Sequence, residues 1–194
     1  MKMGSQSQAK VHPLTAARWA DFEKLFGERG ACGGCWCMLW RLDRARYAAQ
    51  KGAGNRRAMK RIVECGEVPG LLAYVNGEPV GWCALAPRET YPALDRSRIL
   101  ARLDDAHVWS IACMFVAKPF RRKNISVELL KAAARHVANC GGRILEGYPQ
   151  DPKKDPMPEV FAWTGFVKAF RAAGFGEQLR RSPTRPIMRR DVAQ

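Results

Sequence analysis

The most constraining feature of the sequence is a strand, a basic turn and a helix that follow one another within residues 108–139. Residues 108–116 (VWSIACMFV) are mostly β-branched, aromatic or otherwise apolar, which is typical of a central strand covered on both faces. From Ser126 to Asn139 apolar residues recur at helical spacing, and a pair of glycines follows, which predicts a helix and its end. The chain is therefore predicted to belong to the α/β class.

The turn between this strand and this helix has the chemistry of an anion-binding site. A turn that opens a helix directs backbone N–H groups outward, with the positive end of the helix dipole behind them. Arg121, Arg122 and Lys123 add three positive side chains, which favours phosphate groups as the bound anion. A solvated basic loop in which Ser126 caps the helix is the alternative interpretation.

The rest of the chain is predicted to supply further strands and helices around this unit. Asn76-Gly77 separates two apolar segments, which predicts a β-hairpin with a type I′ turn. A strand at 143–148 should lie parallel to the strand at 108–116 through a right-handed crossover. Further helices are predicted at 15–29, 43–49, 55–65 and 160–173, and further strands at 71–75, 79–85, 176–181 and 185–190.

The strand, the turn and the helix resemble the acyl-CoA signature of the GNAT acetyltransferase superfamily, a hydrophobic strand followed by Arg/Gln-x-x-Gly-x-Gly/Ala. Here the strand is followed by Arg121-x-x-Asn124-x-Ser126. Asn tolerates positive φ better than most residues, so the turn can form without the first glycine. The run from Phe170 to Phe175 resembles the Tyr-x-x-x-Gly-Phe ending of the family, with Phe170 in place of its catalytic tyrosine. Segments reading Cys-Trp-Cys, Gly-Trp, Trp-Ser-Ile and Glu-Gly-Tyr-Pro are similar to a bacterial subgroup of this family.

The resemblance implies a fold and a domain organisation. We expect a flexible tail at residues 1–10 and a single GNAT-like domain at residues 11–194. The sheet should be mixed and mostly antiparallel, with about six or seven strands and helices on both faces. Its central parallel strand pair should splay apart.

The resemblance also implies the activity and the cofactor. We expect an N-acetyltransferase that transfers the acetyl group of acetyl-CoA to an amine of a small molecule, a peptide or a protein. In such enzymes the strand pairs with the pantetheine arm and faces the thioester, and the turn wraps around the pyrophosphate. The corresponding cofactor-binding residues here are Met114, Phe115, Val116, Arg121, Arg122, Lys123, Asn124, Ile125 and Ser126.

Acetyl transfer further requires a base for the protonated amine and benefits from an acid for the leaving thiolate. Glu146 and Tyr148 are two residues apart on a predicted strand, so their side chains share a face where the parallel strands should part. We predict that Glu146 is the base, directly or through water, and that Tyr148 is the acid. The alternative pairs Glu146 with an arginine and packs Tyr148 against Pro149. Cys113 is a further candidate, as a nucleophile, but no base is adjacent to it in the sequence and a buried cysteine is usually inert. His107 is a further candidate base, although a lone histidine beside a strand is more often a surface or capping residue.

The segment 31–41 contains three cysteines in the order Cys-x-x-Cys-x-Cys, interleaved with tryptophans. A zinc site needs a fourth ligand, and the other four cysteines do not form a second pair. Free cysteine is a common core residue, so we predict a buried strand here and no metal site. A third interpretation is that Trp36, Met38 and Trp40 line the acceptor pocket.

The formal net charge of +15 suits a polyanionic cofactor such as CoA, an acidic substrate or nucleic acid. The basic clusters contain no interleaved exposed aromatics and no nucleic-acid-binding motif, which argues against nucleic acid as the main partner. There is neither an apolar run of about 18 residues nor a signal-peptide pattern, so we expect a cytoplasmic protein without membrane contact. The Cys/Trp segment and the final strands are candidate surfaces for a homodimer.

Two alternatives to a transferase remain open. One is a degenerate CoA-binding protein without transferase activity, because Asn124 and Phe170 depart from the pattern of the family. The other is a basic module that binds nucleic acid or an acidic protein.

Overall fold

The structure is a computed structural model that describes residues 9–152 and 163–192. Most of the predicted N-terminal tail and the start of the helix predicted at 160–173 lie outside the described residues. The strands are β1 (Lys10–Pro13), β2 (Gly70–Val75), β3 (Glu78–Pro87), β4 (Val108–Val116), β5 (Ile144–Gly147), β6 (Gly176–Arg180) and β7 (Pro186–Asp191). The helices are α1 (Trp19–Phe26), α2 (Arg44–Ala49), α3 (Ala53–Glu64), α4 (Pro92–Asp95), α5 (Ile125–Asn139) and α6 (Val167–Ala172).

The seven strands form one mixed sheet in the order β1-β2-β3-β4-β5-β7-β6. Every neighbouring pair is antiparallel except β4 and β5, which run parallel. Their pairing ends at Ile111 and Gly147, whereas β4 continues to Val116. The predicted fold class, including the parallel central pair that parts, is confirmed.

Helices cover both faces of the sheet because each face carries its own apolar cluster. One cluster joins α5 and α6 to the sheet through Leu129, Val137 and Phe170, among others. The other joins α1 and α3 to the opposite face through Phe22 and Trp82. Complete burial of a side chain such as Leu129 contributes about 2 kcal/mol. Among the described residues, no helix combines the length and apolar character needed to span a membrane.

The hairpin formed by β2 and β3 is confirmed. Asn76 and Gly77 have φ angles of 52° and 79°, the positive values that a type I′ turn requires at both central positions. The strand β1 was not predicted, although it pairs with β2 from Lys10 to Pro13. It begins beside the predicted boundary between tail and domain.

The prediction of a strand within residues 31–41 is wrong, because this segment forms successive turns. Ala31, Trp36 and Cys37 have φ angles of 64°, 46° and 56°, which an extended strand excludes. The middle of the segment, from Trp36 to Met38, is nevertheless buried, as predicted, whereas Cys32 and Gly33 are exposed. Trp36 and Cys37 pack in the aromatic cluster, and the indole of Trp82 donates a hydrogen bond to the Cys37 sulfur at 3.0 Å. Contacts between side chains hold the segment in place without a strand ladder.

The helix predicted at 160–173 begins only at Val167 in the described part of the chain. Before it, Trp163 lies in a turn and Gly165 has a φ of 77°. Gln150 donates a backbone hydrogen bond to Gly165 at 2.8 Å and accepts one from Val167 at 3.0 Å. These bonds to Gln150 fix the segment in an extended path, so it does not continue the helix toward the N-terminus.

Candidate active site

A β-bulge in β4 marks the point at which β4 and β5 part. The pairing of β4 with β3 shifts between Ala84 and Leu85, so Ala112 has no partner residue on β3. A bulge bends a strand and increases its twist. The last pair between β4 and β5, Ile111 with Gly147, lies beside it. Beyond this point, among the residues that the structure describes, no strand pairs with this edge of β4, and we call it the open edge.

The backbone groups of β4 alternate between β3 and this open edge. Ala117, which follows β4, donates a hydrogen bond to a β3 carbonyl at 2.9 Å. Because the alternation has a period of two, Phe115 faces β3, whereas Met114 and Val116 face the open edge. The Met114 N–H donates to the carbonyl of Trp163 at 2.7 Å. Two of the three predicted strand residues therefore present backbone groups to the edge.

The turn that follows β4 adopts the left-handed conformation that the signature requires. Asn124 has φ 60° and ψ 9°, and Arg122 also has a φ of 60°. The helix α5 starts at Ile125, so Asn124, and not Ser126, is the residue that precedes it. The N–H groups of the first helical turn have no acceptor within the helix, and they belong to the predicted residues Ile125 and Ser126.

The basic side chains of the turn divide into one that braces it and two that face solvent. Arg121 donates through Nε to the Val116 carbonyl at 3.0 Å and thereby links the turn to the end of β4. Arg122 and Lys123 are exposed, and the Lys123 ammonium lies 5.3 Å from the centre of the Phe120 ring. The two exposed cations are free to approach a bound anion.

A buried polar network lies where β4 and β5 part. The Tyr148 hydroxyl donates to Glu146 Oε1 at 2.6 Å and lies 2.8 Å from the hydroxyl of Ser110. Arg88 Nη1 donates to the Tyr148 hydroxyl and to Glu146 Oε1, and Arg189 Nε donates to Glu146 Oε2 at 2.8 Å. We call these five residues the Arg88 network. Glu146 and Tyr148 share a face, and Glu146 also has the arginine partners of the alternative interpretation.

The electrostatics of the Arg88 network keep Tyr148 protonated. Burial, followed by the charge of Glu146, raises the pKa of the Tyr148 hydroxyl well above its usual range. Arg88 is itself buried, and it also donates to Asp95 and to the Leu100 carbonyl, both at 2.9 Å. The Arg88 guanidinium and the buried Glu146 carboxylate therefore hold the neutral Tyr148 phenol in one orientation.

Sequence reasoning missed Arg88, Ser110 and Arg189. The signal that would reveal Ser110 is its position as a lone hydroxyl residue in an otherwise apolar strand. The register places Ser110 directly beside Glu146, and Glu146 opposite Arg189. Register across strands cannot be read from one sequence, so no pattern joined these residues.

The other candidates lie away from the Arg88 network. His107 is exposed, and Cys113 packs against the aromatic cluster on the face covered by α1. Cys37 packs in that cluster too, and burial raises the pKa of its thiol well above the usual value. Among the described residues, no group of three or more histidines, cysteines and carboxylates is arranged to hold a metal ion.

Phe170, which the sequence resemblance aligns with the tyrosine of the closing motif, is completely buried. Its ring packs on Phe175 with 4.9 Å between centroids. It also fills the space beside Gly147 and Gly165, where a Cβ atom would collide with it. Phe170 therefore packs the point where the strands part and offers no hydroxyl for proton transfer.

The model of the Acetyltransferase (GNAT) family matches residues 36–155, which is more than half of the 194 residues. The chain belongs to the GNAT acetyltransferase family. The matched range contains the bulge, the open edge, the left-handed turn and the Arg88 network except for Arg189. Membership confirms the predicted resemblance and the predicted enzyme class, an acyltransferase of the GNAT type.

Solved structures of GNAT acetyltransferases have a similar fold. Aminoglycoside acetyltransferase AAC(6')-Ib in complex with coenzyme A has a TM-score of 0.56 at 15% identity, covering 95% of each chain. A GNAT acetyltransferase from Streptococcus pneumoniae has a TM-score of 0.53 at 13% identity, covering 95% of this chain and 99% of that one. A Salmonella typhimurium protein solved with its cofactor acetyl-CoA has a TM-score of 0.54 at 10% identity, covering 96% and 95%. No curated protein sequence matches the chain significantly.

Proposed function

We propose that this GNAT enzyme transfers the acetyl group of acetyl-CoA to an amine of a small molecule or a peptide by direct attack. The observation that carries the proposal is the continuity of three features at one end of β4. These are an open strand edge, a left-handed turn at Asn124 and the N-terminus of α5. Acetyl-CoA supplies the activated acyl group as a thioester, and the chain supplies binding, orientation and proton transfer.

The residues at this end of β4 fit the cofactor. The Met114 carbonyl and the Val116 N–H, which face the edge, can pair with the amide groups of a pantetheine arm as they would with a strand. The first-turn N–H groups at Ile125 and Ser126 would hold the pyrophosphate. The Asn124 side chain is exposed, so it does not fill the turn.

Backbone N–H groups on this edge would also stabilise the negative charge that develops on the thioester oxygen. The Met114 N–H already donates to Trp163, which leaves the Val116 N–H as the other donor that faces the edge. Either Trp163 releases Met114 when substrate binds or Val116 supplies the hydrogen bond. In both cases the donor is fixed by the strand and does not reorganise during the reaction.

For the proton transfers we assign Tyr148 as the acid and Glu146 as the base, directly or through water. Glu146 takes one proton from the protonated amine and passes it to solvent, which frees the nitrogen lone pair. The nitrogen then bonds to the acetyl carbon as the carbon–sulfur bond breaks, the nitrogen loses its second proton to solvent, and the sulfur gains one from Tyr148, which is reprotonated from solvent. Tyr148 immediately follows the last residue of β5 that pairs with β4, and its raised pKa keeps the hydroxyl protonated at neutral pH. A carboxylate has about four acceptor sites, and three donors bind Glu146, so one site remains for a proton or a water.

A cytoplasmic location belongs to the same proposal. All seven cysteines are free thiols, which is the usual state in a reducing compartment. The exposed Cys32, Cys65 and Cys140 would be open to pairing in an oxidising one.

The test is calorimetric titration of the purified protein with acetyl-CoA, followed by an assay of thiol release with a panel of amines. We expect saturable binding, and similar affinity for dephospho-CoA, because the turn binds the pyrophosphate and not charge in general. We also expect thiol release that depends on the amine. Absence of binding overturns the proposal. Binding without thiol release for any amine favours a CoA-binding protein without transferase activity, for which the missing hydroxyl at Phe170 is the structural argument.

A further inference from the structure

Buried polar atoms without a partner are concentrated beside the open edge of β4. Among the described residues, ten such side-chain atoms occur, and seven of them belong to five residues. Native proteins leave few buried polar groups unpaired, because each costs about 1–3 kcal/mol. We call these five residues, together with Trp163, the arginine cluster; the five are Trp40, Arg41, Tyr91, Thr164 and Arg185.

Ring contacts join the arginine cluster into one site. The rings of Trp40 and Trp163 have centroids 5.8 Å apart, and the guanidinium carbon of Arg185 lies 5.9 Å from the centre of the Trp163 ring. The guanidinium carbon of Arg41 lies 5.0 Å from the centre of the Tyr91 ring. Tyr91 and Trp40 pack in the same apolar cluster. The aromatic rings of Trp163 and Tyr91 therefore each contact one arginine, and Trp40 packs beside both rings.

The arginine cluster borders the proposed reaction centre on two sides. The Trp163 carbonyl accepts the hydrogen bond of Met114 on the open edge. The apolar cluster that contains Tyr91 also contains Tyr148, the proposed acid, and Ala112, the residue of the bulge. A ligand bound to the cluster would lie next to both the edge and the acid.

The unpartnered atoms of the cluster are donors. Nε and Nη2 of both arginines and Nε1 of Trp40 can only donate, and the hydroxyls of Tyr91 and Thr164 can donate as well. Within the parts of the chain that the structure describes, Arg41 and Arg185 form no ion pair with a carboxylate. Burial lowers the pKa of the Arg185 guanidinium. Two positive charges with unpaired donors are complemented by an anion that is rich in acceptors, and the planar fork of arginine matches carboxylates and phosphates.

We propose that the arginine cluster is the acceptor subsite and selects an amine that carries an anionic group, a carboxylate or a phosphate, beside an apolar body. This inference rests on the proposed acetyl transfer, because it names the class of amine that the reaction uses. The anion accepts hydrogen bonds from Arg41 and Arg185, the aromatic rings contact the apolar body, and the amine extends toward the open edge of β4.

The test compares ligands that differ only in the anionic group. Tryptophan fluorescence of the full chain with saturating CoA measures the binding of L-phenylalanine against L-phenylalaninamide, and of O-phosphoethanolamine against ethanolamine. We expect the anionic member of at least one pair to bind at least tenfold more tightly than the neutral member. The pair with the larger ratio identifies a carboxylate or a phosphate as the preferred group.

The variants R185Q and R41Q assign this preference to the cluster. Each should lower the ratio of anionic to neutral affinity at least tenfold and leave the affinity for CoA unchanged. R57Q is the matched control, because Arg57 is an exposed arginine on α3, and it should keep the ratio of the unmodified chain. Should R185Q or R41Q unfold, R185K serves as the second variant. It retains the positive charge but not the fork, so its ratio should fall between those of R185Q and the unmodified chain.

Three results would overturn the inference. The first is equal affinity for the anionic and neutral members of both pairs. The second is that no anionic member binds at millimolar concentration. The third is that R185Q loses CoA binding while its ratio of anionic to neutral affinity is unchanged. The last result would assign the cluster to the cofactor. Failure of the proposed function has a different signature, in which the anionic preference is present and depends on Arg185, but no amine releases thiol from acetyl-CoA.

Discussion

The donor side and the acceptor side of this enzyme are built in opposite ways. The donor side, β4 with the turn and α5, is one continuous segment of chain, and most of the groups it offers are backbone N–H and C=O groups. The acceptor side takes side chains from four separate segments, at 40–41, 91, 163–164 and 185. A site made of backbone depends on conformation, so it tolerates a change of side chain such as Asn124 for glycine. A site made of side chains depends on the identity of each one.

The Arg88 network connects the two sides. Ser110 belongs to β4 of the donor side, and Tyr148 packs with Tyr91 of the acceptor side. The Ser110 hydroxyl contacts the Tyr148 hydroxyl, which Arg88 and Glu146 hold in place through buried hydrogen bonds. If the two sides differ as argued, substitutions of side chains should matter most in this network and least in the exposed part of the turn.

The largest effect is expected for R88A, which leaves the buried carboxylate of Glu146 with one of its two arginines. Removing one partner of a buried ion pair costs about 3–5 kcal/mol of the free energy of unfolding. Urea denaturation measures the loss. The double variant R88M/E146Q should recover part of it, because no uncompensated charge is then buried.

The control for this prediction is R102A. Arg102 is partly exposed and pairs with the exposed carboxylates of Glu89 at 3.0 Å and Asp95 at 3.7 Å, so its loss should cost no more than about 1 kcal/mol. If R88A were as stable as R102A, the Arg88 network would contribute nothing to the connection between the two sides.

The second prediction concerns chemistry. Y148F removes the proposed proton donor and E146Q removes the proposed base. Each should lower kcat about 100-fold at neutral pH, which is about 2.7 kcal/mol of activation free energy. The affinity for acetyl-CoA should not change, because the donor side binds it through backbone groups. An unchanged kcat in either variant would remove that residue from the mechanism.

The stability of these two variants has to be measured beside their turnover. Y148F leaves Glu146 paired with both arginines, so we expect it to stay folded. A fall in kcat that follows a fall in the folded fraction would indicate a structural role. S110A is a useful comparison, because it removes the other hydroxyl that contacts Tyr148 without removing the proton donor.

The same contrast explains what the sequence predicts. The strand at 108–116, the left-handed turn and the helix α5 follow from contiguous patterns and were predicted with nearly correct bounds. Glu146 and Tyr148 were placed on one face because strands alternate with a period of two. Arg88, Ser110 and Arg189 were not found, because their proximity depends on pairing across β3, β4, β5 and β7.

The wrong predictions also arise from contacts between distant segments. The segment 31–41 has the composition of a strand, yet it forms turns that pack Trp36 and Cys37 on α1 and β3. In the described part of the chain, the helix predicted at 160–173 begins only at Val167, because Gly165 and Val167 bond to Gln150. In both places tertiary contacts outweigh the local preference of the sequence.

The third prediction tests the tolerance of the donor side. N124V places a β-branched residue at φ 60°, which costs about 1–2 kcal/mol in the left-handed region. The free energy of unfolding should fall by this amount, and the affinity for acetyl-CoA should fall with it if the turn opens. N124G should keep both values. K123A is the matched control, because Lys123 is exposed and does not have a positive φ. Equal stability of N124V and K123A would mean that the backbone conformation of the turn carries no cost.

The smallest effect is expected from pH acting on α5. Burial lowers the pKa of His136, whose ring lies 6.1 Å from that of Trp109. The folded pKa lies below the unfolded value of about 6.5, so the contribution of the neutral imidazole to the free energy of unfolding is complete above about pH 6.5. This contribution is lost as the pH falls through the folded pKa. Urea denaturation at pH 7 and pH 5 should therefore show a smaller pH-dependent loss of the free energy of unfolding for H136Q than for the unmodified chain. H107Q is the control at an exposed histidine, and it should leave this loss unchanged. If H136Q and H107Q had the same pH dependence, the contact of α5 with β4 at Trp109 would be too open to exclude a charged imidazole, and the donor side would be less tightly packed than its apolar cluster indicates.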